Sequence, residues 1–511
     1  MTSTTVGDLM ADPVATVAPE ESLEHASRSM TDRGIGALVV VGEGGGVVGI
    51  VTERDVLHAV AHGDASVARV ADWMTPAPRT VAPDLSPAEA LSALNGSGYR
   101  HLPVVDGRDL LGIVSSRDLL TLARIEPAEH PGQLAPPRGL EGVVVAETTV
   151  GDVRGQQGFY HYRQYSATEL ARHRTFEDVW YLLVHGRLPT GSERGTFASL
   201  VASLRGIPPR TAELLPRLAG TTTSVVDVLR TTVSLVGAEL GIRPWLDLTD
   251  GELEEQGLRL GAVVPTIAAA IHRLGRGDDP VEPRGDLGHA ANYLYMIRGA
   301  VPRDDEARAL ERYLIATIDH GLNASTFTAR VITSTGADLA AALTGAIGAM
   351  SGPLHGGAPS RALGLLDEIG APERTEEVVR RKVGSGERIM GFGHRVYKTQ
   401  DPRAVLLRET ALEVGGERAR FAAEVERTVI ETLAELKPGR ELYANVEYYA
   451  GVIFEQVGLP PELFTPTFVS SRTIGWVAHV LEQARDNRLI RPSARYVGEE
   501  PPQPVPPLDG S

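Results

Sequence analysis

The sequence predicts a multidomain protein, in which an N-terminal α/β repeat pair precedes a larger, mostly α-helical domain. The beginning of the chain repeats itself with a period of 63 to 64 residues, which is the signature of two copies of one structural unit. From Gly139 onward, long helical patterns replace the short strand-like runs. Residues 126–138, between the two regions, are rich in proline and aperiodic, which is typical of a semi-rigid linker.

The two copies cover residues 1–62 and 63–125, and each predicts the order β-α-β-β-α. "GIVTERDVL" from Gly49 returns as "GIVSSRDLL" from Gly112. In the second copy, the first helix opens at Ser86 with a capping box and a proline in its first turn. Two β-rich runs follow, at 102–105 and 110–114.

The large domain covers residues 139–498 and ends in a proline-rich tail, 499–511, which we expect to be disordered. Its helical patterns include "GADLAAALTGAIGAM" at 336–350. The alanines and glycines of this segment would let helices pack closely, either in a helical core or at a helix-lined dimer interface.

The composition excludes several classes of protein. The sequence has no cysteine, which rules out disulfides, thiol nucleophiles and thiolate metal sites and is compatible with a cytoplasmic location. No apolar run is long enough for a membrane helix, and the N-terminus does not resemble a signal peptide. The net charge of −16 argues against a nucleic-acid-binding protein. The histidine spacings do not match a zinc site, so no metal is predicted.

The repeat pair carries a hydroxyl residue and an aspartate at the same place in both copies, Thr52 with Asp55 and Ser115 with Asp118. Each pair matches a capping box at a helix N-terminus, and for one isolated copy we would prefer that structural role. A helix N-terminus is also suited to bind phosphate, and an aspartate can accept hydrogen bonds from a ribose diol. The repetition favours a ligand site.

With these motifs, residues 6–125 resemble a tandem pair of CBS domains, also called a Bateman module. The resemblance implies binding of adenosine derivatives such as AMP, ADP or ATP in the clefts between the repeats, as effectors of a partner domain. Thr52, Asp55, Ser115 and Asp118 would form the ligand-binding set. The candidate phosphate contacts are Arg54, Arg100, His101 and Arg117.

Three histidines of the large domain lie in segments with unusual neighbours. His355 follows a helical pattern that ends at Gly352-Pro353, and two glycines come after it. His394 follows Gly391 and Gly393 in "IMGFGHRVYKTQDPRA", and His320 lies in "IDHGLNASTF". Glycines at such positions allow the backbone to approach a ligand closely.

Together with "GLEGVVVAET", "NVEYYAGVIFEQVGLPPELFTPTFVSSRTIGW" and "NRLIRPSARYVG", these segments resemble citrate synthase along the whole of residues 139–498. That family condenses acetyl-CoA with oxaloacetate and hydrolyses the thioester, which requires a carboxylate base, neutral donors for the enol and ketone oxygens, and arginines for the dianion. The resemblance implies an acyltransferase, a homodimer with shared active sites, and no cofactor, since acetyl-CoA is a substrate. Further assembly through the CBS domains stays open.

Residue by residue, the resemblance implies the following roles. His355 would stabilise the enol and His394 would polarise the ketone, while Glu447 would remove the proton. Oxaloacetate would be bound by His320, Arg403, Arg472 and, from the other subunit, Arg491. Coenzyme A would lie along the backbone of Gly391, Phe392 and Gly393.

Two residues depart from the family's pattern. Glu447 stands where most members have aspartate, so the carboxylate reaches further by roughly one carbon–carbon bond, ~1.5 Å. Gly321 stands in the slot where "DHE" is usual. Two alternatives therefore stay open: a 2-methylcitrate synthase that uses propionyl-CoA, and a nucleotide-binding protein whose synthase domain is catalytically silent.

Overall fold

The computed structural model has two compact units, Met1–Val145 and Ala146–Ser511. Arg117 and most of the predicted linker and tail lie outside the described residues, as do the side chains of residues 88, 91, 92 and 359–361. The structure describes residues 5–62, 68–94, 100–107, 109–116, 118–119, 138–140, 143–221, 224–356, 359–394, 396–494, 496–499, 501–503 and 505.

The N-terminal unit contains one small sheet for each repeat. In the first sheet the strand order is β1-β2-β3-β4, with β1 and β2 parallel and the other pairs antiparallel. In the second sheet β5 pairs with β6 antiparallel. The elements are β1 Thr16–Val17, α1 Leu23–Arg33, β2 Ala37–Val41, β3 Val47–Thr52, α2 Glu53–His62, α3 Val70–Trp73, β4 Thr75–Pro76, α4 Pro87–Leu94, β5 His101–Asp106 and β6 Asp109–Ser115.

The first segment of each repeat packs on the sheet of the other repeat. Val70 belongs to the apolar core of the first repeat, whereas Val6 belongs to the core of the second. The two "GIV" glycines make room for this exchange, because a Cβ at Gly49 would lie 2.4 Å from Met74 Sδ and one at Gly112 would lie 2.6 Å from Met10 Sδ. The repeat boundaries of the sequence thus differ from the units that pack together.

The C-terminal unit is mostly α-helical, with one three-stranded antiparallel sheet, β7-β8-β9, near its beginning. Its strands are β7 Gly151–Arg154, β8 Phe159–Tyr162 and β9 Tyr165–Ser166. Its helices are α5 Ala167–His173, α6 Phe176–His185, α7 Gly191–Ser203, α8 Pro209–Ala219, α9 Val225–Glu239, α10 Asp250–Gly275, α11 His289–Arg298, α12 Asp304–Thr317, α13 Ala324–Ser334, α14 Leu339–Met350, α15 Pro359–Ile369, α16 Thr375–Gly384, α17 Pro402–Val414, α18 Glu417–Leu436, α19 Val446–Gln456 and α20 Phe464–Arg485.

Helix α20 runs through the core of this unit and contacts α6, α10, α12, α13 and α14. It is buried nearly all round, as expected of a helix at the centre of a large helical domain. Its buried face carries polar residues as well as apolar ones, among them Arg472 and His479. Buried polar groups need hydrogen-bond partners. The partners of Arg472 and His479 include Thr317 and Asp319, which directly precede the candidate site residue His320 or lie close to it in sequence.

In the part of the chain that the structure describes, no helix is both long enough and apolar enough to cross a membrane.

Candidate active site

The loop before α17 presents His394 through two glycines in the left-handed region. Gly391 has φ +85° and Gly393 has φ +87°, conformations that other residues rarely adopt. Asn445 ties this loop to α19, because its backbone N–H donates to Gly391 O at 2.9 Å and its side-chain amide donates to Gly393 O at 3.0 Å. Phe392 forms a β-bridge with Ala444. The loop therefore has a defined path beside the start of α19.

Hydrogen-bond donors surround the ring of His394. The backbone N–H groups of Val396 and Tyr397 both donate to Nδ1, at 2.9 and 3.1 Å. The guanidinium of Arg403 faces the other ring nitrogen, with Nη2 3.1 Å from Nε2. Burial and the charge of Arg403 lower the pKa of His394 to about 4. At neutral pH, His394 is therefore a neutral imidazole next to Arg403.

Arg403 is held in a buried ion pair by Asp401, the N-cap residue of α17. The guanidinium donates to both carboxylate oxygens, from Nε at 3.0 Å and from Nη2 at 2.8 Å. Although burial opposes it, the charge of Asp401 raises the pKa of Arg403. Asp401 also accepts from the backbone N–H of Val446 at 3.2 Å. One carboxylate thereby joins Arg403 to the helix that carries Glu447.

Glu447 lies in the first turn of α19, where its backbone N–H donates to the cap residue Asn445. Burial raises the pKa of its carboxyl to about 7, with Arg403 acting against this and Asp401 in favour of it. A carboxyl whose pKa is near neutrality is suited to accept a proton and release it again. Glu447 is therefore not an ordinary surface glutamate.

His320 lies at the turn between α12 and α13, next to the loop of His394. Its Nε2 is 3.0 Å from the hydroxyl of Tyr397, and its ring centroid is 5.8 Å from that of His394. Burial and the nearby Arg403 lower the pKa of His320 well below its ordinary value. Gly321 adopts φ +59°, so a glycine fits the left-handed turn after His320.

His355 follows α14 and is held by Ser325 from α13. Its Nε2 lies 2.7 Å from Ser325 Oγ, which also accepts from Trp476 Nε1 at 3.2 Å. Burial and the charge of Arg472 lower the pKa of His355 to about 4. Like His394, it is a neutral imidazole at pH 7.

Arg472 lies in α20 with its guanidinium buried. Its Nε donates to Thr317 O at 2.8 Å, and its guanidinium carbon is 4.7 Å from the centre of the Phe468 ring. The ring of His355 also lies near Phe468, with the two ring centroids 6.4 Å apart. The two arginines of the site therefore differ in their surroundings, since Arg403 has a bidentate carboxylate partner, whereas Asp319 is the charge that acts most strongly on Arg472.

The structure thus brings together six of the seven predicted catalytic and oxaloacetate-binding residues. They come from four parts of the C-terminal unit: the α12–α13 turn, the segment after α14, the region 394–447 and helix α20. Arg491 is the exception. It is exposed, in a segment that Ile490 anchors by donating to Ser334 Oγ at 3.0 Å.

A cavity of about 800 Å³ opens beside His394, a volume typical of small-molecule sites. Tyr397, Lys398, Arg440 and Tyr443 are among its lining residues. In the described part of the chain, no cluster of three histidine, aspartate or glutamate side chains could hold a metal ion.

Comparison with known proteins explains this arrangement. The family model described as "Citrate synthase, C-terminal domain" matches residues 139–493. The chain belongs to the citrate synthase family. It is 42% identical over 368 residues to a citrate synthase of Haloferax volcanii, an alignment that covers 71% of this chain and 96% of the relative. Citrate synthase 2 of Bacillus subtilis is 38% identical, with 72% of this chain and 98% of that protein covered.

Solved structures of the family share the fold. The crystal structure of citrate synthase from Pyrobaculum aerophilum has a TM-score of 0.67 at 36% identity, covering 74% of this chain and 99% of that one. The ternary complex of Thermoplasma acidophilum citrate synthase with carboxymethyl coenzyme A and oxaloacetate has a TM-score of 0.67 at 28% identity, covering 72% and 98%. The predicted family and fold class are confirmed, and the chain is an enzyme of the acyltransferase type.

The CBS domain model matches residues 6–62 and 70–124, which confirms the predicted repeat pair. In both repeats the predicted ligand residues form the same local structure. Asp55 Oδ2 accepts from the Thr52 backbone N–H and hydroxyl, both at 2.7 Å, and Asp118 Oδ2 accepts likewise from Ser115 at 2.9 and 2.6 Å. The capping geometry is therefore present, and it leaves the ligand role open.

Among the three predicted phosphate contacts that the structure describes, His101 has the most enclosed side chain. It pairs with Ser115 across β5 and β6, and its Nδ1 is buried with no hydrogen-bond partner in the described residues. Burial lowers its pKa, with Asp118 and Glu53 acting in the opposite direction. Arg54 and Arg100 are exposed.

Sequence reasoning missed residues that hold the synthase site together. Asp401 was detectable in principle, since Asp-Pro before a helical pattern is a helix-start signal. Asn445, directly before α19, is a similar case. Tyr397 contacts His320, 77 positions away, and Trp476 donates to Ser325, 151 positions away. Neither contact has a local signal in the sequence.

Proposed function

We propose that residues 139–493 condense acetyl-CoA with oxaloacetate to give citrate and coenzyme A. The observation that carries the proposal is Glu447, a buried carboxyl whose pKa is raised to about 7 and on which the charge of Arg403 acts, in a site whose histidines His355 and His394 are neutral. Relatives named citrate synthase over most of their length support it, and the Thermoplasma relative binds oxaloacetate together with a coenzyme A derivative.

In the proposed reaction, Glu447 accepts a proton from the acetyl methyl group while His355 donates a hydrogen bond to the thioester oxygen. The new carbon nucleophile attacks the ketone carbon of oxaloacetate, and a ring N–H of His394 stabilises the ketone oxygen, which becomes the hydroxyl of the product. Water then hydrolyses the thioester and releases coenzyme A. Neutral donors placed before the reaction stabilise the developing charge without rearranging.

Oxaloacetate is a dianion, and the proposed binding groups are cationic or neutral donors. Arg403 and Arg472 are buried, and the charges of both lower the pKa of His320. Planar guanidinium groups suit carboxylates. His320 completes the set within one chain, and Arg491 would come from a second copy.

Coenzyme A would occupy the cavity beside His394. Lys398 and Arg440 line it and supply positive charge for phosphate groups, while Gly391, Phe392 and Gly393 offer closely approachable backbone. A Cβ at Gly393 would lie 3.2 Å from Leu442 Cδ2, so the path of this loop suits glycine.

We propose a homodimer in which each site receives Arg491 from the partner. Ala341, Gly345 and Gly348 of α14 and Val331 of α13 are only partly buried in the single chain. Gly345 packs against Ile332 of its own chain, and the partial exposure of the other three residues supports helix packing with a second copy. The exposure of Arg491 in one chain agrees with a role in the other.

Adenine nucleotides are the proposed effectors at the CBS domains, with Thr52, Asp55, Ser115 and Asp118 as the binding set and Arg54, Arg100, His101 and Arg117 as phosphate contacts. A nucleotide that binds two arrangements of these domains unequally would shift the enzyme between them. A cytoplasmic location is proposed from the absence of cysteine.

The testing experiment is release of free thiol from acetyl-CoA, with and without oxaloacetate. Because the chain contains no cysteine, the protein itself gives no thiol background. We expect oxaloacetate-dependent release that Glu447→Gln abolishes. If folded protein releases thiol only from propionyl-CoA, the substrate is the longer acyl group; no release with either acyl group would contradict the proposal.

The nucleotide part is tested in the same assay with AMP, ADP and ATP. The matched control is the double variant Asp55→Ala and Asp118→Ala, which leaves the synthase domain unchanged. We expect a change in rate that the double variant lacks. An equal response of both proteins would place the nucleotide effect outside the CBS domains.

A further inference from the structure

One face of α20 carries polar side chains that contact groups of the candidate active site. Arg472, Trp476, His479 and Gln483 recur at helical spacing and are all buried. Arg472 itself belongs to the proposed oxaloacetate site, and Trp476 donates to the serine that contacts His355. His479, one turn further, has no role in the reaction described above, yet it is buried among charged groups.

His479 bridges an arginine and an aspartate. Its Nδ1 lies 3.2 Å from Nε of Arg330, and its Nε2 lies 3.2 Å from Oδ1 of Asp319. Arg330 can only donate, so Nδ1 must accept, and the ring is a neutral tautomer with its proton on Nε2. That proton is donated to Asp319. The pair is therefore a hydrogen bond from a neutral histidine to a carboxylate.

The charge of Arg330 is balanced by a carboxylate other than Asp319. Its guanidinium pairs with Glu482 and donates from Nη1 to Gln483 Oε1 at 3.0 Å. Glu482 in turn accepts from the backbone N–H and hydroxyl of Thr149, at 2.6 and 2.8 Å. Arg330 is thereby fixed in place by its own carboxylate, and the charge of Asp319 remains available to another cation.

Asp319 connects this network to the substrate groups. It directly precedes His320, and its second oxygen accepts from the backbone N–H of Gly321 at 3.2 Å, closing the turn that presents His320. The hydroxyl of Tyr162 donates to its carbonyl oxygen at 3.1 Å. Asp319 is also the main charge facing the buried guanidinium of Arg472. A shift of Asp319 would move the turn that presents His320 and change the charge that acts on Arg472.

We propose that His479 is a positioning residue for oxaloacetate: held as the Nε2–H tautomer by Arg330, it locks Asp319 and, through it, the His320 turn and the charge opposite Arg472. The inference rests on the proposed function, because it assigns these groups to the dianion. It concerns binding of oxaloacetate and leaves the coenzyme A cavity unaffected.

The test compares three variants of the full chain. His479→Leu removes the donor at similar size, His479→Gln keeps an N–H donor and an acceptor at comparable positions, and Asp319→Asn keeps the shape of the carboxylate but not its charge. Thr473→Val is the control, because Thr473 is buried in the same helix and its hydroxyl bonds within that helix, to Val469 O. We measure KM for both substrates, kcat and melting temperature.

We expect His479→Leu and Asp319→Asn to raise KM for oxaloacetate by about tenfold or more, a difference of about 1.4 kcal/mol, with KM for acetyl-CoA nearly unchanged. His479→Gln should restore most of the affinity, and Thr473→Val should leave both KM values alone. A loss of stability without this split in KM would mean that His479 is merely structural and would overturn the inference.

Two further outcomes have defined meanings. If His479→Leu does not fold, Asp319→Asn and His479→Gln decide the question, and an unchanged oxaloacetate KM in Asp319→Asn overturns the proposal. If the wild-type chain shows no turnover, the proposed function fails, and calorimetric titration with oxaloacetate replaces KM. Wild-type binding that His479→Leu weakens would then still support the positioning role, whereas absence of wild-type binding would end both.

Discussion

At the scale of single residues, burial and neighbouring charges decide which side chains of the candidate site are charged at pH 7. His355 and His394 are neutral at pH 7 because burial disfavours their charged forms. Glu447 is near the midpoint of its titration for the same reason. The arginines stay charged, so proton transfer falls to the one group whose pKa is close to neutrality.

The first prediction concerns the pH dependence of kcat/KM, which reports the ionisations of the free enzyme. Because the pKa of Glu447 is raised to about 7, its charged form is the minor species below that pH, and we expect kcat/KM to increase as pH rises through about 7 and then to level off. Glu426→Gln is the control, since Glu426 is another buried carboxyl with a raised pKa but bonds to Tyr449. A rate that is flat from pH 5 to pH 8 would contradict the assignment.

The second prediction concerns stability. The raised pKa means that the folded protein binds Glu447's proton more tightly than the unfolded chain, so stability decreases as pH rises from about 4.5 to about 7. Glu447→Gln removes this cost, which at pH 8 is at most roughly 3 kcal/mol at 1.36 kcal/mol per pKa unit. We expect the inactive variant to melt at a higher temperature than the wild type at pH 8 and not at pH 4.5. Equal melting temperatures at pH 8 would show that Glu447 is solvated.

At the scale of elements, the N-termini of α17 and α19 meet at the site. Asp401 caps α17 and also accepts from Val446 at the start of α19, while Asn445 caps α19 and holds the glycine loop. Free backbone N–H groups at two helix starts are thereby satisfied by residues that also set the positions of Arg403, Glu447 and His394. The side chains that cap the two helices therefore also position the groups of the candidate site.

The third prediction follows from the two bonds of Asn445. Asn445→Ala removes both the cap of α19 and the bond to Gly393 O, and we expect a stability loss of about 1 kcal/mol together with reduced activity. Asn445→Asp keeps the capping oxygen but cannot donate to Gly393, so it should keep the stability and lose activity. Comparison of melting temperature with thiol release separates the two roles. Equal stability of the alanine and aspartate variants would mean that the cap contributes little.

Sequence signals located several elements well because those signals are local. The capping box at Ser86 is present, with hydrogen bonds in both directions to Glu89, and the helix expected in 336–350 begins at Leu339 behind the cap residue Asp338. The exchange of Val6 and Val70 between the repeats was not foreseen. A period states which segments are equivalent, but not which copy each segment packs against.

At the scale of the whole molecule, the candidate site is incomplete in one chain if Arg491 contributes to it. The residue is exposed, and the segment around it is attached to the end of α13 by the bond from Asn487 Nδ2 to Ser334 O. An arginine that binds a carboxylate must reach the substrate, and a twofold dimer would place each Arg491 on the other copy.

The fourth prediction tests this sharing by complementation. Arg491→Ala and His394→Ala should each be inactive alone. In a mixed dimer, the Arg491→Ala copy keeps its own His394 and receives Arg491 from its partner, so one site is intact. We expect co-expressed variants to recover about a quarter of wild-type activity if copies pair at random. Absence of recovery in verified mixed dimers would place Arg491 outside the partner's site.

The sequence by itself determined the division of the chain, the family of each part and the candidate site residues, because ordered motifs, periodicity and caps are written in neighbouring positions. The rest was decided by tertiary structure: the burial that raises the pKa of Glu447, the contact of Arg403 with the ring of His394, and the link from Arg330 to His479 across 149 positions. These properties depend on which residues distant in sequence come into contact and on how much water is excluded around them. Both are determined only when the chain folds.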